Sequence, residues 1–125
     1  MPIDLNTDPP IATLFSDDAE SFANRLNTAA GHQAKNKSTQ IRRFYDELVS
    51  WQERIGDDSG KFTQYVAFIK MLNAKAAYAE GRNLVTPEFV TWFKECIQQV
   101  NSPRSLRNFR LHFEAVLGFL KSIRG

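Results

Sequence analysis

The chain has 125 residues, of which 42% are hydrophobic and 24% charged, with one cysteine and a net charge of +2. This length supports one domain with its own core, while the composition excludes a disordered chain and the lone cysteine excludes an intramolecular disulfide. No apolar run reaches membrane-spanning length and the N-terminus lacks a signal-peptide pattern, so we expect a cytoplasmic protein with no membrane partner.

Charge is distributed unevenly along the chain. Residues 1–34 carry five acidic side chains and one basic one, whereas residues 35–125 carry fifteen basic and nine acidic ones. A basic body predicts an anionic partner such as nucleic acid. Many solvated protein surfaces have the same charge, so this balance alone leaves both interpretations open.

The first 37 residues are predicted to form an N-terminal extension. Residues 1–15 contain three prolines and no period, and are expected to be irregular. Ser16, followed by three acidic residues within four positions, is typical of a helix start and predicts a short helix to about residue 29. Residues 31–37 are polar and aperiodic and are interpreted as a linker. We therefore place a boundary between an extension, 1–37, and a helical-bundle body, 38–125.

The body is predicted to contain four amphipathic helices, because apolar residues recur every three or four positions. The first begins at Ser38, and the second ends at Gly81, a residue suited to the position after a helix. Thr86 and Ser102 each precede a proline, a pattern typical of helix starts, and begin the third and fourth. The second helix is expected to bury Phe62, Tyr65, Phe68, Ile69, Leu72, Ala76 and Ala79. The predicted fold class is all-α, a compact bundle of about five helices.

Catalytic chemistry is not indicated by the sequence. His32 falls in the predicted linker, and His112 is interpreted as a helix-flank histidine with a polar neighbour. Cys96 lies on an apolar stripe, where a packed and inert thiol is expected. No motif has metal-ligand or phosphate-loop spacing. We expect no enzyme activity, no catalytic residue, no metal site and no cofactor.

Two arginine clusters lie where helix electrostatics do not favour cations. Arg42 and Arg43 are near the start of their helix, although acids four residues later make an exposed, self-paired face an equally simple interpretation. Arg104, Arg107 and Arg110 recur every three residues from the first turn of the last helix. Such spacing can follow a sugar-phosphate backbone, or the arginine stems can cover apolar surface. Both interpretations stay open.

A third group lies in the sequence LNAKAAYAEGR (72–82). On a helical wheel Lys75, Tyr78 and Arg82 fall along one edge of the alanine-rich packed face. Their stems can cover the core, or the edge can offer two cations and a phenol to a ligand. Spacing alone does not separate these two interpretations.

Three blocks occurring in order resemble a known family. They are QIRRFYDEL (40–48), KMLNAKAAYAEGR (70–82) and FRLHFEAVLGFLK (109–121), and together they resemble the small helical subunit of the type III-A CRISPR–Cas effector, the Csm complex. The resemblance extends from about Ser38 to the C-terminus. It implies a non-catalytic subunit that stacks in several copies, contacts the large subunit and the backbone subunits, and touches guide RNA and target RNA without reading sequence.

The resemblance also implies a ranking of RNA contacts. Arg42, Lys75 and Arg82 fall on motif positions and are the first expected contacts. The second group rests on charge pattern alone and consists of Arg43, Arg104, Arg107 and Arg110. Arginine and lysine suit this role because backbone contacts need charge and not base-reading geometry.

Other hypotheses remain at this point. The strongest is a protein–protein scaffold subunit with no direct nucleic-acid contact. A DNA-binding helical protein and an unrecognised nuclease are weaker, since neither a recognition helix nor a metal motif is apparent. The acidic extension could also cover the basic body, in which case its removal would raise RNA affinity.

Overall fold

The computed structural model describes residues 3–125, which form six α-helices and, within that range, no strand. The helices are α1 (Asp17–Ala30), α2 (Ser38–Ile55), α3 (Ser59–Lys70), α4 (Leu72–Gly81), α5 (Pro87–Gln99) and α6 (Pro103–Arg124). Met71 alone separates α3 from α4, so the two form one interrupted helix and the bundle has five helical units. The all-α prediction is confirmed.

The core lies where α5 and α6 meet. α6 packs against both α1 and α2, and α5 packs against α4 and α1. Two phenylalanines of α5 and two of α6 are fully buried: Phe89, Phe93, Phe109 and Phe113. Trp92 packs among them, and its ring meets those of Phe109 and Phe113 edge-on, with centroids 5.6 Å and 5.1 Å apart. Tilted and edge-to-face contacts of this kind fill an aromatic core without voids.

The N-terminal segment contributes to the same core. Leu5 and Leu14 are fully buried, and Asn108 of α6 donates a 3.0 Å hydrogen bond from Nδ2 to the Leu5 carbonyl. Gln99 accepts from the Leu5 amide at 2.6 Å. Buried residues therefore lie on both sides of position 37, and the division into an extension and a body stays a prediction about folding units.

Asn36 anchors the segment that was interpreted as a linker. Its side chain is fully buried, and its Nδ2 donates to the Leu26 carbonyl at 3.1 Å and to Thr86 Oγ1 at 2.9 Å. Its Oδ1 accepts from the Thr86 amide at 3.0 Å. The backbone of Asn36 is left-handed, with φ 55°, which asparagine adopts more readily than most residues. This connection is thus fixed to both α1 and the start of α5.

The end of α4 differs by two residues from the prediction. Gly81 is the last residue of the helix, and Asn83, at φ 62°, supplies the left-handed position instead. The Leu84 amide donates to the Ala79 carbonyl and the Asn83 amide to the Glu80 carbonyl, each at 2.9 Å. These two bonds form a Schellman motif, which allows the next residue, Leu84, to lie against the apolar side of the helix.

Two predictions about side-chain burial are wrong. Phe68 is 50% exposed, because its ring stacks flat on the half-buried Trp51 of α2 (6° between planes, centroids 5.8 Å apart) instead of entering the core. The predicted His112 flank position is also wrong, since that side chain is fully buried. Among the described helices, none combines the length and apolarity that crossing a bilayer requires.

Candidate nucleic-acid interface

A groove separates α2 from α4 on one side of the bundle. Its volume is about 480 Å³. We call it the α2–α4 groove, and its lining consists of Gln40, Arg43, Phe44, Glu47, Met71, Ala74, Lys75, Tyr78, Ala79, Arg82 and Leu84. Its floor is largely apolar, whereas its rim carries three cations and one carboxylate.

The sequence of α4 explains how the groove forms. Leu72, Ala76 and Ala79 are buried, so the helix lies close to its neighbours through small side chains. Lys75 and Tyr78 then project from the edge of that face, as the wheel predicts, and Arg82 follows at the helix end. The predicted edge therefore becomes one wall of the groove.

The three rim cations differ in their partners. Lys75 Nζ lies 2.8 Å from Glu47 Oε1, an exposed ion pair that bridges α4 and α2. Arg82 lies over the Tyr78 ring, 5.8 Å from its centroid. Among residues 3–125, no carboxylate oxygen lies within 4 Å of Arg43 or Arg82. These two guanidinium groups are thus free to meet an anion.

Arg42 does not join this group. Its exposed side chain contacts its own helix, with Nε 4.0 Å from Asp46 Oδ1 and its guanidinium 6.0 Å from the Tyr45 ring centroid. The Tyr45 hydroxyl donates to Glu114 Oε1 of α6 at 2.8 Å, and burial together with this carboxylate raises the pKa of Tyr45. Adjacent arginines in the sequence therefore serve two different surfaces.

The α6 arginines have acidic neighbours from three parts of the chain. Arg104 lies 3.6 Å from Asp8, and Arg107 lies 3.9 Å from the highly exposed Asp57. Arg110 is held more firmly, donating to Gln52 Oε1 at 2.7 Å and to Glu114 Oε1 at 2.8 Å. Exposed pairs of this length contribute at most about 1 kcal/mol each. The α6 cations are therefore partly neutralised but not withdrawn from solvent.

One aromatic–cation cluster was not identified from the sequence. Arg54 of α2 lies over the Trp51 ring at 5.2 Å and over Tyr65 at 5.7 Å, next to the exposed Phe68. Arg54 and Phe68 line a smaller hollow that shares Glu47, Met71 and Lys75 with the α2–α4 groove. The spacing of Trp51 and Arg54 by three residues was the available signal.

Cys96 and His112, the side chains most suited to catalysis, are both buried in the core. Burial raises the pKa of the Cys96 thiol well above its ordinary value, which keeps it protonated. His112 Nε2 accepts from Trp92 Nε1 at 3.2 Å, and Nδ1 donates to the Leu14 carbonyl at 2.7 Å. Burial lowers the pKa of His112, and the Leu14 carbonyl and Asp18 oppose that shift. Nowhere in residues 3–125 do three or more metal-binding side chains cluster.

Comparison with models of known protein families identifies a family for this chain. The model of a family described as Csm2 Type III-A matches residues 11–125, nearly the whole chain. The match begins before Ser38, so the family pattern also includes α1, which the resemblance drawn from the three blocks left out. Neither the curated proteins nor the solved structures contain a significant match.

Proposed function

Because the chain belongs to the Csm2 Type III-A family, and so is a small subunit of the type III-A CRISPR–Cas effector complex, we propose that it is a non-catalytic subunit that contacts RNA. The contact is with the backbone of guide and target RNA and is independent of sequence. The observation that carries this proposal is the gathering of Arg43, Lys75 and Arg82 around one groove, with two of them unpaired.

Sequence-independent contact to the RNA backbone is consistent with how RNA-guided effectors recognise their targets. Base pairing between guide and target reads the sequence in RNA-guided effectors, so a subunit beside the duplex needs only charge placed at phosphate spacing. Each cation that replaces a counterion adds affinity and salt sensitivity. The α6 arginines and Arg42 supply further positive charge on a second surface, which we propose as a weaker RNA contact.

The non-catalytic role is supported by the state of the reactive groups. Cys96 and His112 are both fully buried, and the histidine uses both ring nitrogens in hydrogen bonds within the core. Neither reaches a substrate without unfolding of the bundle. We further propose that several copies stack beside the backbone and large subunits in the cytoplasm, as the family resemblance implies.

The experiment that tests the proposal removes charge from the groove alone. In one variant Arg43, Lys75 and Arg82 become Gln, and in a matched control Lys61, Lys94 and Lys121 become Gln. The control lysines are exposed and lie on α3, α5 and α6, so both variants lose three positive charges. RNA affinity of the full chain is measured by fluorescence anisotropy at several salt concentrations.

The groove variant is expected to lose affinity and the control to retain most of it. Three lost contacts to single-stranded RNA reduce the slope of log affinity against log salt by about 2, since each contact contributes about 0.7. Equal losses in the two variants would show that binding follows net charge and that the groove has no special role. A scaffold without RNA contact would show no salt-sensitive affinity in the unmodified chain.

A further inference from the structure

The α2–α4 groove exposes an aromatic ring that charge alone does not explain. Tyr78 is 66% exposed and Met71 is 54% exposed, although both border a groove with an apolar floor. Phosphate contacts need cations and gain nothing from an exposed ring. The surface around Tyr78 therefore fits a ligand that has both a flat apolar face and adjacent negative charge.

An unpaired nucleotide has both properties. A base within a duplex has its faces covered by stacked neighbours, whereas an unpaired base offers a face to an aromatic side chain. Arg82 lies over one face of the Tyr78 ring at 5.8 Å, so a base would stack on the opposite face, and the guanidinium can contact a phosphate next to that base. The groove volume of about 480 Å³ leaves room for a purine with its ribose.

The rim charge favours an anionic occupant over a second copy of this chain, whose net charge is +2, and the exposed rings favour RNA over an acidic peptide. The rim carries Arg43, Lys75 and Arg82 against the single carboxylate of Glu47, which is already paired with Lys75. The exposed Phe68 and Trp51, with Arg54 at 5.2 Å, continue the alternation of rings and cations into the adjoining hollow. Proteins bind single-stranded nucleic acid through such alternation of rings and cations.

We propose that the α2–α4 groove holds one unpaired RNA base stacked on Tyr78, with its flanking phosphates at Arg43 and Arg82. This inference rests on the proposed RNA-binding function and adds the class of nucleotide that the groove accepts. It assigns Tyr78 a contact that distinguishes unpaired from paired RNA.

The test compares Tyr78→Leu with Tyr78→Phe in the full chain. Leucine keeps apolar surface and removes the ring, whereas phenylalanine keeps the ring and removes the hydroxyl. The probes are a short single-stranded RNA with a central 2-aminopurine, the same RNA with an abasic site there, and the fully paired duplex. Anisotropy gives affinity, and 2-aminopurine fluorescence reports stacking of that base.

The unmodified chain and Tyr78→Phe are expected to bind the single-stranded probe about fivefold or more tightly than the abasic probe, a loss typical of one stacked base. Tyr78→Leu is expected to lose this preference and the change in 2-aminopurine fluorescence, with duplex affinity unaltered. Circular dichroism checks that all three proteins remain helical.

Equal binding of base and abasic probes by the unmodified chain would overturn the inference, and salt-sensitive duplex binding would still support the proposed function. Failure of the unmodified chain to bind any RNA at low salt would overturn both. If Tyr78→Leu left RNA binding intact but reduced incorporation into the effector complex, the groove would be a protein interface and the inference would be wrong.

Discussion

Lowering the pH is expected to destabilise the fold through His112. Its two partners define a single neutral tautomer, because the indole of Trp92 only donates and the Leu14 carbonyl only accepts. Protonation would place a hydrogen on Nε2, facing the indole N–H, and would put a charge inside the core. Both effects favour the neutral ring in the folded state, in agreement with the lowered pKa.

The size of the effect follows from linkage. The pKa of His112 is lower in the folded chain than in the unfolded chain, where it is about 6.5, so the unfolded chain takes up the proton first. The stabilisation is fully present above that value and is lost as the pH falls towards the folded pKa. Between pH 7.5 and 5.5 the free energy of unfolding should fall by as much as about 1.4 kcal/mol.

The assay is urea denaturation across this pH range, followed by tryptophan fluorescence. The matched variant is His112→Gln, whose amide can still donate to the Leu14 carbonyl and accept from Trp92 but does not titrate. Its free energy of unfolding is expected to vary little with pH, whereas His32→Gln, at an exposed loop histidine, should behave like the unmodified chain. The reasoning is refuted if His112→Gln keeps the pH dependence of the unmodified chain.

Two further predictions concern stability and reactivity. Asn36→Ala should lower the free energy of unfolding by about 2–4 kcal/mol in the same assay, because it leaves the buried Thr86 amide without a partner and removes the donor to the Leu26 carbonyl and the Thr86 hydroxyl, at a left-handed backbone position; a loss below about 1 kcal/mol would show that the anchor is dispensable. Cys96 should react with iodoacetamide only as fast as the chain unfolds, since the thiol is buried and protonated. Rapid alkylation in the native state, measured by mass spectrometry with a urea-unfolded control, would contradict that burial.

Most helix positions were predictable because their signals are local. The prolines after Thr86 and Ser102 mark the starts of α5 and α6, and Ser102 forms the expected cap together with Ser105. Thr86 shows the limit of this reasoning. It occupies the predicted cap position, but its hydroxyl accepts from Asn36, fifty residues away, instead of capping α5. Nothing in the local pattern indicates that partner.

The candidate site, too, was only partly predictable from the sequence. One edge of α4 follows from helical periodicity, so Lys75, Tyr78 and Arg82 could be grouped from the sequence. The opposite wall depends on which helix lies across from α4, and periodicity carries no such information. The place of Arg43 on that wall was therefore not predictable, and its rank below Arg42 came from the family motif alone. The buried position of His112 was missed for a similar reason, because Trp92 and Leu14 come from distant segments.

The position of α6 between α1 and α2 has a consequence for synthesis of the protein. α6 is translated after the other helices, yet it supplies Phe109 and Phe113 to the centre of the core. Until it has left the ribosome, α1 and α2 lack the helix that packs against both of them, although Phe22 of α1 can already stack on Trp92 of α5. The apolar surface that α6 covers therefore stays accessible to chaperones until this last helix packs.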